Sequence, residues 1–159
     1  MAPAQAPSSG AGEGRTAAPD SLYELLWQVT AYTHLLNEAA LADTPLTVSS
    51  SGMLLTVADQ PGTTVAEISR RIPKTQQTIS QVVARLEKLG LIERRLGTGR
   101  GVGLHLTDQG HEMAQTARAH GRQLADGLRE LLGAERADAL TVLLGESREL
   151  LAQAADDSA

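Results

Sequence analysis

A chain of 159 residues is long enough to enclose one hydrophobic core and too short for two ordinary domains. Hydrophobic residues at 42% and charged residues at 21% exclude wholesale disorder and a fibrous rod, and the absence of cysteine excludes disulfides, Cys-ligated metals, thiol nucleophiles and thiol-based redox sensing. The net charge of -5, taken alone, counts against a nucleic-acid partner. No run approaches the roughly eighteen apolar residues of a membrane span, and no basic segment with an apolar follow-on opens the chain, so a cytoplasmic protein without membrane contact is expected.

Residues 1–19 mix Ala, Pro, Gly and Ser without periodicity and have nothing large to bury, which predicts a disordered arm. Helical spacing begins after Pro19: Ser21 with Glu24 fits a capping box, and Leu22, Leu25, Leu26, Val29, Leu36 and Ala40 recur on one face. This first helix, within 20–45, also carries Tyr23, Trp27 and Tyr32, the chain's only aromatic residues. After Pro45, Thr47 and the serines at 49–51 supply start signals for a short helix with Met53, Leu54, Val57 and Ala58, stopped at Pro61-Gly62.

Thr64 with Glu67 marks the next start, with Val65, Ile68 and Ile72 as the apolar face, ending at Pro73. Thr75 opens a further helix with Ile79, Val82, Val83, Leu86 and Leu89 inward and Gly90 as its stop. Two short helices about a tight turn form a helix-turn-helix pattern. The period then changes to two across Leu91–Leu96 and Val102–Leu106, with a glycine-rich tip between, which predicts a β-hairpin. Thr107 and Asp108 start a long helix with Met113, Ala117, Leu124, Leu128, Leu131 and Leu132 on one face, and Gly133 separates it from a last helix reaching about Gln153. The expected fold is mainly α with a small β-hairpin: a lobe over 46–107, flanked by the first helix and by helices over 108–153, with a flexible tail at 154–159.

Charge is unevenly distributed. Residues 64–106 hold eight basic against three acidic residues, a balance of +5, while the remainder carries -10. Basic charge alone reads more readily as a solvated face, but its position favours phosphate contact. With Ile79, Val82, Val83 and Leu86 inward, a rotation of about 100° per residue puts Gln77, Gln81, Ala84 and Lys88 opposite the core and Gln76, Ser80 and Arg85 at the flanks. Amides and hydroxyls pair with base edges, whereas a merely solvated helix more often carries Glu and Lys. Gln76, Gln77, Ser80 and Gln81 are therefore the base-reading candidates. Lys74, Thr75, Arg85, Arg94 and Arg95 are the backbone candidates, and Arg100 at the hairpin tip is the minor-groove candidate.

The tip lacks a GK[ST] ending and leads into a strand instead of a helix, which disfavours a nucleotide-phosphate loop. His34, His105, His111 and His120 form no ligand pattern; His111 and His120 are nine residues apart, about half a turn out of phase on one helix. No cofactor or metal site is predicted, and no GxSxG or HExxH catalytic signature occurs, so an enzyme is not expected.

The run from Thr78 to Arg94, with its R-L-E-x-x-G-L-I-x-R pattern, and Leu106-Thr107-Asp108-Gln109-Gly110 at their mutual spacing resemble the MarR family of winged-helix transcriptional regulators, over about Leu22 to Leu151. The resemblance implies a homodimer held by its terminal helices, two lobes reading successive major grooves of a pseudo-palindromic operator on double-stranded DNA, and repression relieved by a small-molecule effector. It makes Arg100 the counterpart of the wing arginine, although the tip lacks the acid that commonly accompanies it. It also places an effector pocket where the dimerisation helices meet the lobe, with Tyr23, Trp27, Tyr32 and His34 as candidates; packing of these aromatics at the dimer interface is the competing reading. An activator, a ligand-independent regulator, and a helical adaptor or small enzyme without DNA binding are the alternatives.

Overall fold

The computed structural model describes residues 21–72, 74–96 and 102–157. Residues 1–19, expected as an arm, lie outside them. Among the described residues the elements run α1 (Leu22–Ala40), α2 (Val48–Asp59), α3 (Val65–Arg71), α4 (Gln76–Lys88), β1 (Ile92–Leu96), β2 (Val102–Leu106), α5 (Asp108–Leu132) and α6 (Ala134–Asp156).

Hydroxyl caps begin each of the first five helices. Ser21, Thr47, Thr64, Thr75 and Thr107 each accept a hydrogen bond from the backbone N–H three residues on. Three of these caps are reciprocal boxes, closed by Glu24, Ser50 and Glu67. Of the serines expected to start α2, Ser50 closes the box, accepting from the Thr47 N–H at 2.7 Å. The backbone N–H groups of Ser21 and Thr64 hold the Glu24 and Glu67 carboxyls below the usual carboxylate range. The stability these bonds add is full above the ordinary carboxylate value and is lost as pH falls through the lowered one.

One core lies under the helix-turn-helix. Leu54, Val57, Ile68, Ile79, Val83, Leu86, Leu91 and Leu104 are essentially inaccessible, and Leu41, Ala114 and Ala117 join the same cluster. The lobe's core thus continues past residue 107 into the first turns of α5, because small alanines let that helix lie close to α2. Val82 and Leu89, expected inward, are only half-buried at the edge. The hairpin is antiparallel with Ile92 opposite Leu106 and Leu96 opposite Val102; its base is buried and its outer end, with Leu96, is exposed. The α2–α3 turn pairs with the other edge of β2: Gly62 N–H donates to the Leu104 carbonyl and Leu104 N–H to that of Thr63, both at 2.8 Å. Gly103 permits this approach, since a Cβ there would lie 2.8 Å from the Gly62 carbonyl oxygen.

A second close joint ties the hairpin to α5. The Thr107 hydroxyl donates to the Gly90 carbonyl at 2.6 Å and its N–H to that of Leu91 at 3.2 Å. Gly110, one turn on, faces the Leu91 carbonyl so closely that a Cβ would sit on the oxygen.

The terminal helices are built differently. Neither α1 nor α6 has a buried residue among those described. Their apolar side chains are exposed, including Leu22, Leu26 and Val29 on α1 and Leu143, Leu150 and Leu151 on α6. Large apolar side chains exposed in this number mark an association face. The helix pair α5 and α6, joined by the Arg129–Asp138 ion pair, and α1, which packs on α5, fit a second copy of the chain. The expected tail at 154–159 begins later than foreseen: α6 continues to Asp156, because Ala152, Gln153, Ala154 and Ala155 favour a helix and no glycine or proline interrupts them.

Gly110→Ala should destabilise the chain by about 3 kcal/mol, the upper range for overpacking, read as a lowered urea midpoint. Leu143→Glu should shift the protein from dimer to monomer in sedimentation equilibrium; an unchanged dimer would show that this stripe is not the interface.

Candidate nucleic-acid interface

The exposed face of α4 begins at its N-terminus, where Thr75 satisfies the Thr78 N–H and lies 2.9 Å from the Thr78 hydroxyl. Gln76, Gln77 and Gln81 project into solvent along this face, followed by Ala84, Arg85 and Lys88. Ser80, expected among them, is half-buried, because the 100° rotation brings it toward the flank that also carries Glu87. Thr78 is exposed on the opposite flank. Residue type alone did not single it out, although its position one residue after the glutamine pair made it visible to the same helical projection.

The basic candidates divide by their partners. Lys74, just before α4, has its Nζ 3.4 Å from the Ser49 hydroxyl of α2. Arg85 donates to the Pro45 carbonyl at 3.2 Å, which fixes the loop before α2 against α4. Arg94 is held by Glu87 in a two-pronged pair at 2.8 and 3.3 Å, and Arg95 pairs with Glu93 on its own strand. Such pairs at the surface add well under about 1 kcal/mol, so their effect is to position side chains and offset charge. The Glu87–Arg94 pair locks the end of α4 to β1. Sequence reasoning counted these acids in the net charge but gave no sign of which arginines they would engage. Arg100 lies outside the described residues.

Two cavities adjoin this lobe. The larger, about 410 Å³, opens between α1, α2 and α4 and includes His34, Met53, Ile72, Lys74 and Val82 in its wall. The smaller, about 220 Å³, lies between α1, α2 and α5, with Asn37, Ser51, Leu55 and His120 in its wall. Of the four expected pocket residues, only His34 reaches a cavity, where it also approaches Glu38 at 3.3 Å. Tyr23, Trp27 and Tyr32 line neither cavity and are 76%, 65% and 67% exposed on α1. This exposure on an apolar helix is the condition expected of interface aromatics. Among the described residues no group of three or more His, Asp or Glu is placed to hold a metal, and no helix is long and apolar enough to cross a membrane.

A helix-turn-helix followed by an antiparallel hairpin, framed by long terminal helices, defines a winged-helix protein. Residues 44–100 match the sequence model of the MarR family. A MarR family protein of Mycobacterium tuberculosis, solved with salicylic acid, is 27% identical with a TM-score of 0.66, over 82% of this chain and 98% of that one. The same protein solved with DNA is 26% identical with a TM-score of 0.67, over 80% and 97%. The transcriptional repressor CouR, solved on a 23-mer DNA duplex, is 25% identical with a TM-score of 0.75, over 80% and 92%. No curated protein sequence matches the chain. Over residues 44–100, the helix-turn-helix and the first strand of the hairpin, the chain is thus similar to the MarR family, and it shares the winged-helix fold of the solved MarR family proteins.

Proposed function

We propose that the protein is a homodimeric, sequence-specific DNA-binding repressor of a pseudo-palindromic operator, released by a small organic ligand. The observation that carries this reading is the amide-rich, uncharged outer face of α4, bordered by Lys74, Arg85 and Lys88. Gln76, Gln77 and Gln81 read base edges in the major groove, with Thr78 and the less accessible Ser80 at the borders. Lys74, Thr75 and Arg85 meet phosphates; Arg94 and Arg95 contribute more weakly, because Glu87 and Glu93 already offset their charge. Arg100 enters the minor groove. Two lobes held by the apolar faces of α1, α5 and α6 read two half-sites.

The ligand site in this reading is the cavity with His34 and Lys74. Apolar walls and one cation suit an aromatic or aliphatic carboxylate, in line with the salicylic acid bound by the mycobacterial relative. It lies between a dimerisation helix and the recognition helix, so occupancy favours one lobe placement over another. A binding protein, not an enzyme, and a cytoplasmic setting beside DNA follow from the same reading.

Fluorescence anisotropy on the DNA upstream of the protein's own gene tests it. A salt-dependent preference for a palindromic site over random DNA is expected, and its absence would overturn the reading. Gln77→Ala with Gln81→Ala should cost about 1–3 kcal/mol of base discrimination per lost pairing, whereas Arg100→Ala should weaken specific and random DNA alike. Glu87→Gln should strengthen random-DNA binding and steepen its salt slope by about one, as Arg94 becomes free for a phosphate.

A further inference from the structure

We infer that Leu96 and Val102 make an apolar contact with the deoxyribose wall of the minor groove, so that the hairpin holds duplex DNA by its sugars as well as by charge. The inference rests on the DNA-binding reading above and adds to it a surface with neither charge nor base-reading groups. Leu96 is 89% and Val102 41% exposed, and the two are cross-strand partners at the outer end of the hairpin. Alternation along the strands puts them on the face that also carries Ile92, Arg94, Leu104 and Leu106. Near the base this face is the core side, where Ile92, Leu104 and Leu106 are buried. Farther out, Arg94 on the same face reaches Glu87 at the end of α4. The apolar pair therefore extends the core-facing side of the hairpin beyond the lobe, on the side turned toward the recognition helix.

Size and charge together say what covers it. Two aliphatic side chains offer far less than the roughly 800 Å² per partner of a stable protein–protein interface, so a second copy or another protein gains little there. A DNA strand presents apolar sugars between anionic phosphates, and the pair stands in matching company. Arg94 and Arg95 directly precede Leu96 on β1, and Lys88, which forms no carboxylate ion pair among the described residues, ends α4. With the amide face of α4 in the major groove, the strand that divides it from the adjacent minor groove passes between α4 and the hairpin. Its sugars then meet the hairpin face turned toward α4, and apolar side chains are a recurrent means of engaging the minor groove. No base edge takes part, so the contact adds affinity without sequence preference.

Fluorescence anisotropy of the full-length protein on the palindromic site upstream of its gene tests the inference. Leu96→Ser should weaken binding about tenfold with the salt slope unchanged, because the lost contact is apolar and releases no counterions. Lys74→Ala, by contrast, should reduce the slope by about one. Leu96→Met should stay within about twofold of the original affinity, since it keeps the apolar bulk. The near-complete exposure of Leu96 means that its replacement should leave the urea midpoint and the sedimentation of the protein unchanged. Single ribonucleotides scanned through the flanking minor groove locate the sugar. A 2′-hydroxyl set against Leu96 should weaken the original protein at least about threefold and leave Leu96→Ser indifferent. An affinity in Leu96→Ser within twofold of the original, a reduced salt slope in that variant, or a ribonucleotide penalty that survives it would each overturn the sugar contact and leave the reading of α4 intact. Dissociation of the Leu96→Ser protein into smaller species would overturn it too, by assigning the pair to a contact between copies. If the original protein shows no salt-dependent preference for the palindromic site, both readings fall.

Discussion

The backbone approach of α5 to the base of the hairpin governs how the parts of this molecule relate. Gly90 ends α4, Leu91 leads into β1, and both carbonyls are taken by Thr107 at the start of α5. Gly110 then brings the helix against the Leu91 carbonyl with no side chain between. Recognition helix, wing and dimerisation helix therefore meet within a few residues of rigid, hydrogen-bonded backbone. Rotation of α5 must carry the end of α4 with it, because packed interiors transmit displacement instead of absorbing it. Without this joint a lobe would hang from the dimer on a loop, and fixed spacing between two recognition helices would be lost.

Charge is arranged on the same framework. The acidic total conceals a basic lobe, but the structure refines that division, since a positive count is not a count of available cations. Glu87 and Glu93 engage Arg94 and Arg95, while Lys74, Arg85 and Lys88 remain without carboxylate partners among the described residues. With Arg70 and Arg71 at the end of α3, which also form no carboxylate ion pair among the described residues, the unpaired charge runs from α3 through the turn and along α4. The paired arginines shape the junction of α4 with the wing. Acidic helices elsewhere disfavour indiscriminate adhesion to nucleic acid, so base contacts make a larger share of any preference.

Local signals were legible in the sequence because local chemistry decides them. Ser21 with Glu24, Thr64 with Glu67, and Thr75 and Thr107 announced helix starts that require only residues within one turn. The switch from a period of 3.6 to a period of two announced the hairpin in the same way. The outward position of Gln77 and Gln81 followed from helical projection once the core face was known. Ser80 fell between faces, where projection discriminates poorly. The cavity walls were not legible, because they depend on contacts between distant segments: Lys74 with Ser49, or His120 beside Asn37 and Ser51. The aromatic cluster lies on the helix that borders both cavities. His34 faces a cavity, whereas Tyr23, Trp27 and Tyr32 belong to exposed stretches of α1.

The position of α1 bears on how a ligand would act. No residue of α1 is fully buried in its own lobe, its half-buried positions meet α2 and α5, and it roofs both cavities. A molecule lying between α1 and α2 therefore touches the dimer framework on one side and the DNA-reading lobe on the other. It can shift the lobe only by as much as it prefers one separation of these helices to another, so affinity alone does not make an effector. An acid held beside Lys74 would change the charge near the start of α4 and touch α1 at His34, so both sides of that cavity feel its occupancy.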